Sequence, residues 1–207
     1  MKGIFITFEG SEGCGKSTQS RLLYQYLKRK GFDALYLREP GSTKVGESIR
    51  KILLDARNDS LTAVSEMLLY MAARSQIVDE TIRPALSAGR TVICDRFLDS
   101  TVAYQGYGLG LDIKLIREIA KLVTRGMSPD LTILLDLPIG KGFKYHDSKK
   151  DRIEQRSSQY HVRVRNGYLK LARLHCDRIK IIKVDGDRNQ IQKRIRELVD
   201  RFLREKS

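Results

Sequence analysis

A short apolar run, Gly3 to Phe8 (GIFITF), leads through Glu9 into Gly10-Ser11-Glu12-Gly13-Cys14-Gly15-Lys16-Ser17, and Ser17 to Lys30 then carries apolar residues at helical spacing. This is the feature that most narrows the fold. The string fits G-x-x-x-x-G-K-[ST], and it lies after a strand and opens a helix, the context in which that pattern cradles phosphate. Three glycines let backbone N–H groups turn inward around an anion, and the helix start adds the positive end of its dipole. Lys16 is expected to reach the β- and γ-phosphates of a nucleoside triphosphate and the Ser17 hydroxyl to ligate Mg²⁺, with residues 10–18 through Thr18 forming the ATP-binding segment. Cys14 reads as a small filler, since a catalytic thiol needs a partner base and none is evident.

Further along, Ala34 to Leu37, Thr91 to Cys94, Leu131 to Leu137 and Ile179 to Val184 read as strands. Helical patterns fall between them, at Val45–Leu54, Thr62–Leu86, Leu111–Val123, Ser157–Leu174 and Arg188–Leu203. On the Thr62–Leu86 helix, Val64, Met67, Leu68, Met71 and Ala72 are assigned to one side. Strands alternating with helices predict a five-stranded parallel sheet covered on both faces, and 207 residues suit one domain, residues 1–207. Gly140 to Arg156 is Lys-rich and poor in apolar residues, so residues from about 140 to 156 are expected to form an exposed, mobile lid, with a merely solvated face as the alternative.

Lys and Arg outnumber Asp and Glu by 39 to 25, a net charge of +14 that draws anions without saying which. Three cysteines without CxxC spacing argue against a disulfide framework or zinc site. Neither a cleavable leader pattern nor an apolar run of membrane-spanning length occurs, so a cytoplasmic location without a membrane partner is expected.

Residues at strand ends supply a second set of candidates. Arg38 ends the second strand, where ligands gather in a parallel sheet, and its planar fork suits a phosphate; pairing with Glu39 or another carboxylate is the alternative. Tyr70 and Arg74 share a helix face and could grip a base, one by stacking and one by donating to a ring carbonyl. Asp95 follows a buried strand, a usual place for a carboxylate that organises Mg²⁺, and Arg96 beside it can neutralise phosphate charge. Thr101 and Gln105, four residues apart, offer the donors and acceptors of a pyrimidine edge, while Ser100 and Tyr104 either line the same pocket or pack.

Six segments in order, FEGSEGCGKST (8–18), LREPGST (37–43), LLYMAARSQ (68–76), DRFLDSTVAYQG (95–106), SPDLTILLDLP (128–138) and DRIEQR (151–156), resemble the bacterial thymidylate kinase family over nearly the whole chain. The resemblance implies a P-loop nucleoside monophosphate kinase fold, ATP and dTMP as partners with Mg²⁺, no obligatory nucleic acid, and a homodimer. It also implies that Arg38 holds the acceptor phosphate, that Tyr70, Arg74, Thr101 and Gln105 meet thymine, and that Glu9 accepts from the acceptor sugar's 3′-hydroxyl, with a metal role as the alternative. The family suggests an unusual peptide bond at Pro40. Its members carry Arg either inside the phosphate loop or on the lid. With none in Ser11-Glu12-Gly13-Cys14, transition-state charge is assigned to the lid's Arg152, with Lys149, Lys150 and Arg156 nearby. Tyr70 departs from the usual Phe, and Arg156 stands where an acidic residue is common. Lys16, Arg38, Arg96 and Arg152 are therefore the expected catalytic cations. Rival readings are a kinase for another nucleoside monophosphate, or a nucleic-acid-binding ATPase suggested by the charge.

Overall fold

The computed structural model describes residues 3–138 and 151–206. Five strands, β1 (Ile4–Gly10), β2 (Ala34–Arg38), β3 (Thr91–Asp95), β4 (Leu131–Asp136) and β5 (Ile179–Lys183), form one sheet in the order β2-β3-β1-β4-β5. Every pairing is parallel. The continuous apolar runs in β1, β3 and β4 have the composition of strands covered on both faces, and these three occupy the centre. Where β1 and β4 carry a threonine instead, Thr7 and Thr132 are in register and their hydroxyls bond to each other at 2.8 Å.

On one face α1 (Lys16–Arg29) and α8 (Arg188–Lys206) close the core, with Leu23, Leu27, Ile191, Ile195 and Val199 packed against Ile6, Phe8 and Ile133. The other face carries α3 (Ala63–Ile77), α6 (Ile113–Val123) and α7 (Ser158–Leu174), whose Met67, Met71, Ile116, Val164 and Leu171 pack with Leu134 and Ile179. The helix α2 (Lys44–Leu54) rests against α3. Thr43, Thr62 and Ser157 cap α2, α3 and α7 by accepting from N–H groups two or three residues into the helix.

Two departures from the expected elements matter. The long helix expected over Thr62–Leu86 widens into a π-helical stretch at Val78–Ile82 before α4 (Arg83–Ser87), which puts Pro84 at the start of a new helix and not inside an old one. Within it, Met67 and Met71 face the core, but Val64, Leu68 and Ala72 do not; these three form an exposed stripe alongside the buried pair. Second, α5 (Leu98–Thr101) runs into another π-helical stretch, Val102–Gly108. Wider turns are common at functional sites, and this one carries Tyr104 and Gln105.

Candidate active site

The carboxyl ends of β1, β2 and β3 deliver the site, as a parallel sheet with its order reversing at β1 dictates. Gly15 precedes α1 with φ 87°, a conformation other residues resist, and a side chain at Gly10 would put its Cβ 2.4 Å from the Leu135 carbonyl oxygen. Lys16 is buried and bends back over the loop, donating from Nζ to the Ser11 carbonyl at 2.7 Å. Ser17 Oγ donates to Asp95 Oδ2 at 2.5 Å. The other Asp95 oxygen, Oδ1, is buried with no hydrogen-bond partner. Burial raises the Cys14 thiol pKa even though Lys16 and Arg96 oppose it, as suits an unreactive filler.

This phosphate loop borders a polar basin lined by Lys16, Ser17, Thr18, Arg38, Arg50 and Asp95, with Glu12, Glu39, Arg96 and Asp151 among its walls. Arg38 combines both readings made of it: Nη2 pairs with Glu47 at 2.8 Å, and the residue still lines the basin. The Glu39-Pro40 bond is cis, and Arg50 Nη1 donates to the Pro40 carbonyl at 3.1 Å.

A second cleft adjoins the first and shares Glu12, Glu39, Arg50, Arg96 and Asp151 with it. Its remaining lining is Pro40, Leu54, Tyr70, Ser100, Thr101, Tyr104, Gln105 and Ile153, a mixture of rings and convergent polar groups typical of a small-molecule pocket. Tyr70, Ser100, Thr101, Tyr104 and Gln105 are thus brought together as the sequence led one to expect. Burial first, and the nearby Glu66 second, raise the Tyr70 phenol pKa, so the ring stays neutral and available for stacking.

Arg96 organises the shared wall from a strained backbone, with φ at 73°. Its Nη2 donates to Glu12 Oε1 at 2.6 Å and to the Tyr104 hydroxyl at 3.1 Å, while Nη1 reaches Ser100 Oγ and the Tyr168 hydroxyl. Tyr104 in turn donates to Glu12 at 2.7 Å. Burial alone would raise the Glu12 pKa, but Arg96, Lys16 and the Tyr104 hydroxyl outweigh it and hold the carboxyl down at about 2.

Three expected contact residues lie elsewhere. Glu9 is fully buried, not on the cleft surface. Its oxygens accept from Phe97 N at 2.8 Å, Ser100 Oγ at 2.5 Å and the Tyr168 hydroxyl at 2.9 Å, so it fastens the turn after β3. Burial and then Asp99 push its pKa up to about 7, against the pull of Ser100, Arg96 and the Phe97 N–H. Glu12, three residues on, lines both basins instead. Arg74 is also behind the wall, giving Nε to Glu39, Nη1 to Thr101 and Nη2 to the Phe97 carbonyl. It braces two cleft residues without lining the cleft.

Of the proposed lid, residues 140–150, with Lys149 and Lys150, lie outside the described residues. The remainder is not an exposed strip: Arg152 and Ile153 are buried. Arg152 Nη2 pairs with Glu66 at 2.6 Å and its Nε donates to the Leu53 carbonyl at 2.9 Å, so the guanidinium is turned from the phosphate basin. Composition concealed this, because a charged residue looks solvated until its buried partner is known. Nothing in the sequence marks Arg50 or Glu66 for the same reason: each is one charge in a helix, and only folding puts it at the cleft or beneath it.

A parallel sheet in this order, a phosphate loop at its first turn and an adjoining cleft define the class of P-loop nucleoside monophosphate kinases. A model of the family described as thymidylate kinase matches residues 8–195. Thymidylate kinase of Geotalea daltonii is 50% identical over 202 residues, covering 93% of this chain and 94% of the relative. That of Caldanaerobacter subterraneus subsp. tengcongensis is 43% identical over 205 residues, covering 99% and 98%. A solved thymidylate kinase structure from Ehrlichia chaffeensis superposes with a TM-score of 0.79 at 33% identity, over 97% of this chain and 99% of that one. The chain belongs to the thymidylate kinase family.

Proposed function

We propose that this protein phosphorylates dTMP to dTDP with the γ-phosphoryl group of ATP, a step toward dTTP. The observation that carries this reading is the pair of adjoining basins, one built on the phosphate loop and one lined by rings, hydroxyls and the Gln105 amide, with Glu12, Arg50 and Arg96 on their common wall. An acceptor phosphate at that wall stands beside the triphosphate, and an oxygen of it attacks the γ-phosphorus as the bond to the ADP oxygen breaks. No side-chain base is required, because that oxygen is already ionised at neutral pH.

Catalysis of this kind rests on positioning and on cations that meet developing charge. Lys16 swings from the Ser11 carbonyl to the β- and γ-phosphates, Arg38 and Arg50 hold the acceptor phosphate, and Arg96 lies between the two groups. The Ser17 hydroxyl and Asp95, whose buried Oδ1 lacks a hydrogen-bond partner, form a hard oxygen pair suited to Mg²⁺. When bound, that ion neutralises charge on the triphosphate oxygens. Tyr70 stacks on the base, Thr101 and Gln105 address its edge, and Glu12 accepts from the acceptor's sugar hydroxyl.

The protein acts as a cytoplasmic homodimer. Supporting this, the outer faces of α2, α3 and α6 expose Ile52, Val64, Leu68, Leu115 and Leu122, and no helix among the described residues is long and apolar enough to cross a membrane.

A coupled ADP-release assay offering dTMP, dUMP, dCMP, dAMP and dGMP tests the assignment. Clear preference for dTMP is expected. Faster turnover of any other monophosphate, or stimulation by DNA without a mononucleotide, overturns it.

A further inference from the structure

Glu66 is a fully enclosed charge beneath the acceptor cleft, with no exposed surface, yet it lines neither basin. Its first oxygen, Oε1, accepts from Gln105 Nε2 at 2.8 Å. Its second, Oε2, accepts from Arg156 Nη2 at 2.6 Å and forms an ion pair with Arg152 Nη2 at the same distance. Burying a carboxylate is costly, and two guanidinium groups on one oxygen compensate that charge. The same pairing leaves Oε1 for a single neutral partner.

We propose that Glu66 is a positioning residue for acceptor-base specificity, acting through the Gln105 amide. An amide is ambiguous: either its NH₂ or its carbonyl end can face a ligand. A carboxylate removes the ambiguity, because it only accepts, so the nitrogen end of Gln105 must turn to Glu66. The carbonyl end is then the one presented to the cleft, which Gln105 lines. A carbonyl acceptor selects a base that carries N–H at ring position 3, as thymine and uracil do. Cytosine places a lone pair there and meets oxygen against nitrogen with no proton between them, the kind of mismatch that discriminates most strongly in a buried site. Arg152 and Arg156 hold the carboxylate in place, so the chain segment that follows 150 is mechanically tied to base recognition. Arg156 extends the tie, donating from Nη1 to the Tyr160 hydroxyl at 2.8 Å.

The inference rests on the acceptor-cleft reading above, and its test separates the two. Glu66→Gln replaces the obligate acceptor by another amide, so the Gln105 amide is free to rotate. The expected result is a fall of about tenfold or more in the ratio of kcat/KM for dTMP to that for dCMP, carried by KM. Arg156→Met, which removes one guanidinium and leaves the Glu66–Gln105 bond, should lower turnover while keeping the ratio near that of the parent. A folded Glu66→Gln variant with an unchanged ratio overturns the proposal. Should that variant not fold, the parent enzyme decides: 3-methyl-dTMP, which lacks the ring N–H, is expected to bind at least about tenfold more weakly than dTMP, and equal competition sinks the idea. A parent enzyme indifferent between dTMP and dCMP would instead defeat the acceptor assignment itself.

Discussion

Two carboxylates three residues apart respond oppositely to the same fold. Glu12 is surrounded by cations and titrates near 2, whereas Glu9 is buried with Asp99 nearby and titrates near 7, both against an ordinary value of 4.5. Between about pH 4.5 and pH 7 the folded chain keeps the Glu9 proton that the unfolded chain has released, so this contribution is complete below 4.5 and is lost as pH rises through 7. The shift corresponds to about 3 kcal/mol at most. Glu12 works in the other direction, its contribution present above 4.5 and lost as pH falls toward 2. Chemical denaturation of the parent and of Glu9→Gln across pH 4.5 to 7.5 checks this. The parent should lose stability relative to the variant as pH rises, and parallel profiles would show that Glu9 does not titrate there. The distinction between these residues was not legible in the sequence. Motif spacing located both near phosphate, but which one reaches the cleft depends on the outward turn of the loop after Gly10, where φ is 143°.

At the scale of elements, the sheet and its helices were readable because apolar runs of four to seven residues and helical spacing are local properties, and apart from the break after α3 only their ends moved, by three residues at most. The π-helical stretch Val102–Gly108 was not readable, since a wider turn leaves no periodic signature of its own. Its position depends on contact with α7. A Cβ added at Gly167 would lie 2.6 Å from Tyr107 Cδ2, and one added at Gly108 would lie 2.6 Å from Tyr160 Cε2. These two glycines let helix and stretch approach closely, which is what keeps Tyr104 and Gln105 against the cleft. Gly167→Ala therefore forces the two apart. Overpacking of this kind costs about 1–3 kcal/mol, so a lowered Tm and a raised KM for dTMP are expected, with KM for ATP nearly unchanged. Equal changes in both KM values would mean that the stretch does not serve the acceptor side selectively.

For the whole molecule, one sheet carries apolar cores on both its faces, while of the α3 residues that spacing puts on one side only Met67 and Met71 reach a core. Helical periodicity marks apolar residues but cannot say whether the surface they meet belongs to the same chain. Val64 and Leu68 are each 48% exposed, and α3 lies between α2 and α6, which expose Ile52 and Leu115 in turn. Apolar side chains exposed on three neighbouring helices suit an isologous contact with a second copy, in which α3 meets its own equivalent across a two-fold axis. Glu66 and Tyr70 stand on the same helix as Leu68, so a second copy seated on this face would touch the element that also carries a cleft residue. Leu68→Lys tests this. Because the side chain is half exposed in the monomer, the substitution should alter the fold's own stability by no more than about 0.5 kcal/mol. Across a two-fold axis it brings two like charges together in an apolar contact. Sedimentation velocity is expected to move from the mass of two chains to that of one, with a weaker KM for dTMP as α3 loses its support. An unchanged dimer, or a parent that sediments as a single chain, would remove this face as the contact.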